Sequence, residues 1–458
     1  MAPSRQAIYL TAFAVVALYF LVWPLWRAQF PLEIWPTESW SAYFDVAAAH
    51  GRPIYPDPDQ LIANNYPPLS FYVIGTLARL LACDPIALGR VLSIVALGAI
   101  GIEIALAVML LGGGRIWGAV GGLWFVAIMA HVSTSYVGAS DPQLAGQAIM
   151  GAGLVWFIAR DRAGRSCLGP LLVMVAAGFW KHNIVAIPLT AVAWLMLRGG
   201  ARSYRAILLS GVAALAGLVL CRAVFGPAFL ANLLEPRAYG LSFIVPHLGH
   251  LQWLAVAALV WLSWVLGAGR DDAARFTVLH VGISLVACVV QWSGDGVAQN
   301  AEFDPMIALG IGVGVALGRC GETTLARRLG VARTRDLAVL ALLVRLVASE
   351  RQEPALVMFS PAFRAEFVAS AAVAQAEAAR AAAVAGDLFC DNKTICWMAG
   401  KPFAVDEFKV EQMVATGAAT PRQIDELLHR RGITRFACDP RAAAYNTTQL
   451  ATNAARGR

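Results

Sequence analysis

The sequence predicts an all-α polytopic membrane protein with about eleven or twelve transmembrane or re-entrant helices and a small extracytoplasmic C-terminal α/β domain. Composition is the first reason: of 458 residues, 59% are hydrophobic and 14% are charged, and the mean hydropathy is +0.62. A soluble core of this size needs far fewer apolar side chains. The second reason is that basic residues form short clusters between apolar runs, which is typical of cytoplasmic loops. The net charge of +7 therefore predicts no nucleic-acid partner.

Apolar stretches near bilayer length recur along the chain. The first, from Gln6 to Trp26, is too long for a signal peptide and has no small-residue cleavage site, so it predicts a spanning helix. The predicted segments are 7–27, 67–83, 90–111, 116–131, 143–159, 167–180, 183–198, 206–224, 251–268, 274–292, 304–318 and 336–348.

The basic clusters orient these segments. By the positive-inside rule, the cytoplasmic arginines are Arg115, Arg160, Arg162, Arg165, Arg198, Arg202, Arg205, Arg270 and those from Arg319 to Arg335. If the N-terminus is cytoplasmic, these arginines are all cytoplasmic only if segment 67–83 enters and leaves the membrane on the outer side or lies along it. The tail from about 349 is then outside. Pro67 and Pro68 favour such a turn because they lack N–H groups and restrict the preceding residue. A proline-started full span is the alternative.

The same topology places polar stretches on the outer face, at 28–66, 131–142, 225–250 and 293–304, together with the turn at Lys181 and His182. In the first, a helix is predicted from Thr37. Glu38 and Asp45 are two turns apart, so both carboxylates can project from one face and serve as a general base. The alternative is a solvated helix whose acids cap it or pair with Arg52.

The other outer features are isolated polar residues in otherwise apolar sequence. Asp141 stands at the mouth of a helix, where it acts on a substrate or caps the helix. Lys181 and His182 occupy a tight turn, and snorkelling to the interface explains Lys181 equally well. Arg90 begins the helix after the double proline, where it binds an anionic substrate group or a lipid headgroup. Asn300 lies in the last outer stretch, before an apolar helix.

These features follow one another as motifs. The order is an acidic residue followed by Tyr, Ala, Gly and Tyr (Glu38, Tyr43, Ala47, Gly51, Tyr55), Tyr-Pro-Pro-Leu from Tyr66, Gly-Arg-x-x-Ser from Gly89, Asp141, Lys181, Gly-x-x-x-Asn from Gly296 to Asn300, and Ala-Gly-Lys-Pro from Ala399. The succession resembles the polytopic glycosyltransferases of the GT-C class, in particular the bacterial family-39-like, dolichol-phosphate-mannose and aminoarabinose transferase-related group.

The resemblance implies transfer of a sugar from a polyprenyl-phosphate carrier to an unidentified acceptor at the outer face of the bacterial inner membrane. It implies Glu38 as the base, with Asp45 and Asp141 as further catalytic candidates. The commoner pattern is an Asp-Glu pair, and Thr37 replaces its first member. A metal bridging two carboxylates is therefore less favoured, although a divalent metal stays open.

A sugar phosphodiester needs cations near its leaving phosphate, because negative charge develops there as the glycosidic bond breaks. Lys181 and Arg90 are the candidates, with His182 and Arg52 behind them. Donor, acceptor and membrane lipid are the expected partners. The predicted substrate-binding residues are Tyr43, Tyr66, Arg90, Lys181, His182 and Asn300.

The tail is predicted as a separate unit, 349–458, after a membrane domain of 1–348 with its first outer loop at 28–66. The alanine-rich stretch from Pro361 predicts one helix, and two short apolar runs predict strands. Pro421 begins a capped helix. Cys390 and Cys396 form a local disulfide or stay reduced, and the cysteines of the chain show no metal-ligand spacing.

Two other classes of function remain open on the sequence. A transporter or flippase of a lipid-linked or anionic substrate requires charges near the middle of the membrane, and Glu103 is the one conspicuous acid there. A membrane scaffold whose tail binds a partner is the third class. It leaves the clustering of polar residues on one face unexplained.

Overall fold

A computed structural model describes residues 4–269, 271–348 and 351–442, so Arg270 and the end of the tail lie outside the described residues. The chain is a bundle of helices with a smaller C-terminal unit packed against one end. The helices are α1 (Arg5–Arg27), α2 (Thr37–Ala49), α3 (Leu69–Leu80), α4 (Pro85–Leu110), α5 (Arg115–Val132), α6 (Pro142–Arg162), α7 (Leu168–Trp180), α8 (Ala186–Arg198), α9 (Ala201–Phe225), α10 (Pro227–Leu233), α11 (Val245–Leu248), α12 (Ala255–Ala268), α13 (Asp272–Gln291), α14 (Phe303–Gly318), α15 (Thr324–Leu329), α16 (Val331–Val347), α17 (Glu353–Phe359), α18 (Pro361–Ala383), α19 (Lys393–Met398), α20 (Glu407–Ala415) and α21 (Pro421–Arg430).

The membrane character of the fold is confirmed. Seven described helices are long and apolar enough to cross a membrane, or up to nine if each bent pair of helices is one span. The predicted apolar segments all correspond to helices, with ends displaced by a few residues. This protein is therefore a multi-pass membrane protein.

Three apolar helices are too short to span. Helix α3 has 12 residues, which is about 18 Å against a hydrocarbon layer of about 30 Å, so segment 67–83 is not a full span. The predicted spans at 167–180 and 183–198 are also shorter than a full crossing, because α7 and α8 have 13 residues each. The turn between them contains Lys181, which is 1% exposed.

Glycines allow the central helices to approach closely. A Cβ atom at Gly122 of α5 would lie 2.2 Å from the carbonyl oxygen of Gly101 in α4, and one at Gly121 would lie 2.5 Å from that of Gly310 in α14. Small residues at such crossings let backbones pack without an apolar driving force from water. As a result α14 is enclosed on nearly all sides, and residues at its entrance are held by neighbouring helices.

The C-terminal unit has the predicted elements. Helix α18 is continuous, strands β1 (Leu388–Cys390) and β2 (Thr434–Phe436) pair in parallel with Leu388 opposite Thr434, and α21 has Pro421 in its first turn behind a capping box. The Cys390–Cys396 disulfide is formed. The apolar cluster of the C-terminal unit includes Trp23 of α1 and Leu32 of the first loop, so the unit packs directly against the membrane bundle.

Candidate active site

Helix α2 begins at Thr37 as predicted, and its two carboxylates are buried instead of solvated. Glu38 is 0% exposed and Asp45 is 1% exposed. A charged carboxylate can be buried at this depth only if partners compensate the lost hydration. Glu38 has such partners, whereas the Asp45 carboxylate has none among the described residues.

Glu38 forms a two-pronged ion pair with Arg90 at the start of α4. Arg90 Nε donates to Glu38 Oε1 and Arg90 Nη2 donates to Glu38 Oε2, both at 2.8 Å. Backbone N–H groups of Ser140 and Ile34 donate to the same two oxygens. Arg90 also donates to the carbonyl oxygens of Ala28, Phe30 and Leu32. All the strong acceptor positions of Glu38 are thus occupied, and the pair ties the first loop to α4.

Asp45 has no such partner. Among the described residues, neither of its buried carboxylate oxygens has a hydrogen bond. Burial raises the pKa of Asp45 well above its ordinary value. A negative charge on this carboxyl group would be uncompensated among the described residues, so burial favours its protonated form.

A second buried ion pair joins the predicted residues Asp141, Lys181 and Tyr66. Lys181 Nζ lies 2.7 Å from Asp141 Oδ1 and donates to the Tyr66 hydroxyl at 3.1 Å. The Lys181 ammonium also lies over the Tyr66 ring, 4.2 Å from its centroid. Thr37 Oγ1 donates to the other Asp141 oxygen at 3.1 Å. Asp141 additionally caps α6 by accepting from the Gln143 N–H, so the capping interpretation is confirmed and its action on a substrate stays a prediction.

Two cavities of different character lie on either side of this cluster. The first, called here the polar cavity, measures about 220 Å³ and is lined by Trp35, Thr37, Trp40, Asn65, Tyr66, Glu235, Arg237, Gly296, Lys393, Asp406, Phe408 and Lys409. The second, the apolar cavity, measures about 410 Å³ and is lined by Pro67, Met150, Leu171, Met174, Phe179, His182, Leu218 and Phe229. Tyr66 of the polar cavity and His182 of the apolar cavity are in ring contact, with centroids 6.3 Å apart. Lys181 lines neither cavity, but it contacts Tyr66 of the polar cavity and directly precedes His182 of the apolar cavity.

Arg237 belongs to this site and was not among the predicted residues. Its guanidinium lies over the Phe408 ring, 5.1 Å from the centroid, and within the described part of the chain it forms no ion pair. Burial is the largest cause of the raised pKa of the Tyr66 hydroxyl, and the positive charge of Arg237 acts in the opposite direction. The signal available in the sequence was its position, because Arg237 is the single arginine of the predicted outer stretch 225–250.

The C-terminal unit completes the polar cavity with paired charges. Lys393 lies 3.0 Å from Asp406, and Lys409 lies 3.5 Å from Glu235. Burial lowers the pKa of Lys393, but the neighbouring Asp406 carboxylate more than offsets this effect, so the net pKa is raised. Lys393 therefore keeps its positive charge at neutral pH.

Other predicted residues lie elsewhere. Tyr43 stacks on Phe403, with centroids 5.0 Å apart, and donates to the Lys401 carbonyl, in a separate groove against the C-terminal unit. Asn300 Nδ2 donates to Gln143 Oε1 at 3.4 Å, which places it behind Asp141. The structure thus gathers Tyr66, Asp141, Lys181 and His182 and leaves Tyr43 apart.

No group of three or more His, Cys, Asp or Glu side chains that could hold a metal ion occurs in the part of the chain that is described. The acids beside the polar cavity are instead each held by a cation or by a hydroxyl group.

Comparison with solved structures shows the fold. It is similar to that of ArnT, an aminoarabinose transferase of the GT-C class from Cupriavidus metallidurans. The apo structure aligns at a TM-score of 0.58 and 15% identity over 96% of this chain and 90% of that chain. The structure bound to undecaprenyl phosphate aligns at 0.54 and 14% identity, over 91% and 90%. The oligosaccharyltransferase of Archaeoglobus fulgidus aligns at 0.45 and 13% identity, over 78% of this chain and 57% of that chain.

No protein-family model matches the sequence, and no curated protein matches it significantly. The chain nevertheless has the GT-C fold, as the order of its motifs predicted.

Proposed function

We propose that this protein is a membrane glycosyltransferase that transfers a sugar from a polyprenyl-phosphate donor to an acceptor at the extracytoplasmic face of the bacterial inner membrane. The observation that carries the proposal is a buried cation, Lys181, that contacts Tyr66 of the polar cavity and is followed by His182 of the apolar cavity. A lipid-linked sugar phosphate has the same sequence of parts: an apolar chain, an anion and a polar sugar. The N-terminus is then cytoplasmic and the C-terminal unit extracytoplasmic.

The donor is bound along this axis. Its isoprenoid chain occupies the apolar cavity between α7, α9 and α10, and its sugar occupies the polar cavity. The phosphate lies between the Lys181 ammonium and the Arg237 guanidinium, with the Tyr66 hydroxyl as a further donor. Cations fixed in a site of low dielectric stabilise the charge that the phosphate oxygen gains in the transition state.

The chemical step is an inverting displacement. The acceptor oxygen forms a bond to the anomeric carbon of the sugar while the bond from that carbon to the phosphate oxygen breaks, and its electron pair stays on the phosphate. The proton of the acceptor hydroxyl passes toward Asp141, which is separated from the polar cavity by the Thr37 hydroxyl that it binds. Glu38 positions the loop that carries Thr37, and Asp45, whose burial favours the protonated form, takes no part in the step.

The shared fold supports this assignment, because one of the similar ArnT structures has undecaprenyl phosphate bound. The sequence of motifs supports it independently. A transporter or flippase would need no carboxylate beside the sugar, whereas this site holds Asp141 within one hydroxyl group of the polar cavity.

The test uses Lys181→Met and Arg237→Gln, with Arg328→Gln on the exposed surface of α15 as the charge-matched control. Native mass spectrometry of gently solubilised protein should detect a polyprenyl-phosphate lipid in the wild type and the control. Each site variant should lose this lipid and lower turnover of a polyprenyl-phosphate sugar at least tenfold, since each removes a charged contact to the phosphate.

Retention of the lipid in both folded site variants would contradict the placement of the phosphate. Lipid binding without any sugar transfer, in protein that moves the lipid between leaflets, would establish the flippase reading instead.

A further inference from the structure

A third cavity lies beside the polar cavity and carries an unusual density of cations. It measures about 500 Å³, and its wall is formed by Arg27, Thr134, Ser135, His247, His250, Arg351 and the backbone of 296–299. A smaller extension of about 120 Å³ shares His250, Gln299 and Arg351 with it and reaches His131. Here the two are called the cationic cavity.

We propose that the cationic cavity is an anion-binding site for a phosphate or carboxylate group of the acceptor. Naming the acceptor as the source rests on the proposed function, whereas the site itself rests on the residues that line it. It lies across Trp35 and Gly296 from the polar cavity, because these two residues line both.

Arg27 gives the strongest reason. This arginine, at the end of α1, is 4% exposed and donates only to the backbone carbonyls of Thr134 and Val137. Its Nε has no hydrogen-bond partner among the described residues, and the ion pairs of the described chain do not include it. A buried guanidinium without a carboxylate is costly, and an incoming anion removes that cost.

The carboxylates around the cavity already have partners. Arg351 lies 3.1 Å from Glu353, and the His250 ring lies 2.7 Å from Glu302. Arg27 is therefore left without an ion pair among the described residues. His131 adds a buried polar ring, since it is 2% exposed and both ring nitrogens lack hydrogen-bond partners within the described ranges.

The donor types fit an oxyanion. Two planar guanidinium groups, one from the end of α1 and one from the segment before α17, can bind the oxygens of one phosphate or carboxylate from two sides, and Thr134, Ser135 and imidazole groups supply further hydrogen bonds. A group held here leaves the rest of the acceptor free to reach around Trp35 toward the sugar. The site is therefore one of recognition, distinct from the donor phosphate at Lys181.

The test is made with the full-length protein in the Lys181→Met background, which removes the main donor-phosphate contact. Isothermal titration uses two probes, sn-glycerol 1-phosphate and dihexanoyl phosphatidic acid. We expect saturable binding of at least one probe, and at least tenfold weaker binding after Arg351→Gln or Arg27→Gln. Arg328→Gln serves as the control and should leave the affinity unchanged.

Arg351 is partly exposed, so its variant tests the site even if Arg27→Gln prevents folding. Tighter binding of the lipid probe identifies a lipid-borne acceptor, and equal binding of both probes identifies a soluble one. Absence of binding in folded protein, or equal affinity in Arg351→Gln, overturns the proposal. Because the donor is not used, failure here is separate from failure of the polyprenyl-phosphate assay.

Discussion

Replacing Arg90 by methionine should destabilise the bundle more than any other single change at this end. The variant leaves the Glu38 carboxylate buried at 0% exposure with only two backbone N–H donors. Removing one partner of a buried ion pair costs about 3–5 kcal/mol. The Ala28, Phe30 and Leu32 carbonyls also lose their donor, which adds about 1 kcal/mol or more.

The expected total is about 5 kcal/mol, which corresponds to a fall in Tm of roughly 5 °C for a chain of this size. Thermal unfolding in a fixed detergent, followed by tryptophan fluorescence, measures it. The double variant Glu38→Gln/Arg90→Met should recover part of the loss, because it removes the stranded charge. The coupling energy from the complete double-mutant cycle should therefore exceed about 2 kcal/mol.

The same variants test the role of Glu38. If Glu38 positions the loop, Glu38→Gln should lower Tm and turnover together. A loss of about a thousandfold in turnover at unchanged Tm is the size expected for removal of a general base. That result, or a coupling energy near zero, would refute the structural role argued above.

Three further predictions concern the outer loops and the C-terminal unit. Burial raises the pKa of Glu33 to about 7, so the folded state binds a proton that the unfolded state releases near pH 4.5. Stability should therefore fall by about 3 kcal/mol as the pH rises from 4.5 to 7, and Glu33→Gln should abolish this slope in Tm. Replacing Cys390 and Cys396 by serine opens the small disulfide loop and should cost about 2 kcal/mol, seen as faster proteolysis of the C-terminal unit. Tyr66→Phe keeps the ring under Lys181 but removes the hydroxyl, so kcat for sugar transfer should fall roughly tenfold.

Each of these changes has a matched control. Glu407 is exposed, and Glu407→Gln should leave the pH slope in place. Cys438 is a free cysteine of the same unit, and its replacement by serine should leave the proteolysis rate unchanged. Tyr72→Phe removes a partly exposed hydroxyl. Equal effects of any site variant and its control would contradict the corresponding argument.

Local information in the sequence was sufficient for the elements. Apolar runs of bilayer length, proline at first turns and small polar caps act within a few residues, so the predicted helices and the capped α21 are confirmed. The sequence left open whether Cys390 and Cys396 are bonded, and the structure shows the disulfide. The order of weak motifs was sufficient for the GT-C fold. Helix ends were predicted less closely: segment 206–224 lies inside the longer α9, because the polar first turn of that helix lowers the local hydropathy.

Tertiary structure alone decided which polar residues meet. The spacing of Glu38 and Asp45 is that of a paired site. However, Arg90, which is 52 residues from Glu38, forms an ion pair with Glu38. Asp45 is buried without a hydrogen-bond partner among the described residues. Lys181 meets Tyr66 from 115 residues away. Whether a carboxylate is charged, saturated or accessible depends on burial and on distant partners. The sequence determined what each segment could be, and packing determined which side chains face the cavities.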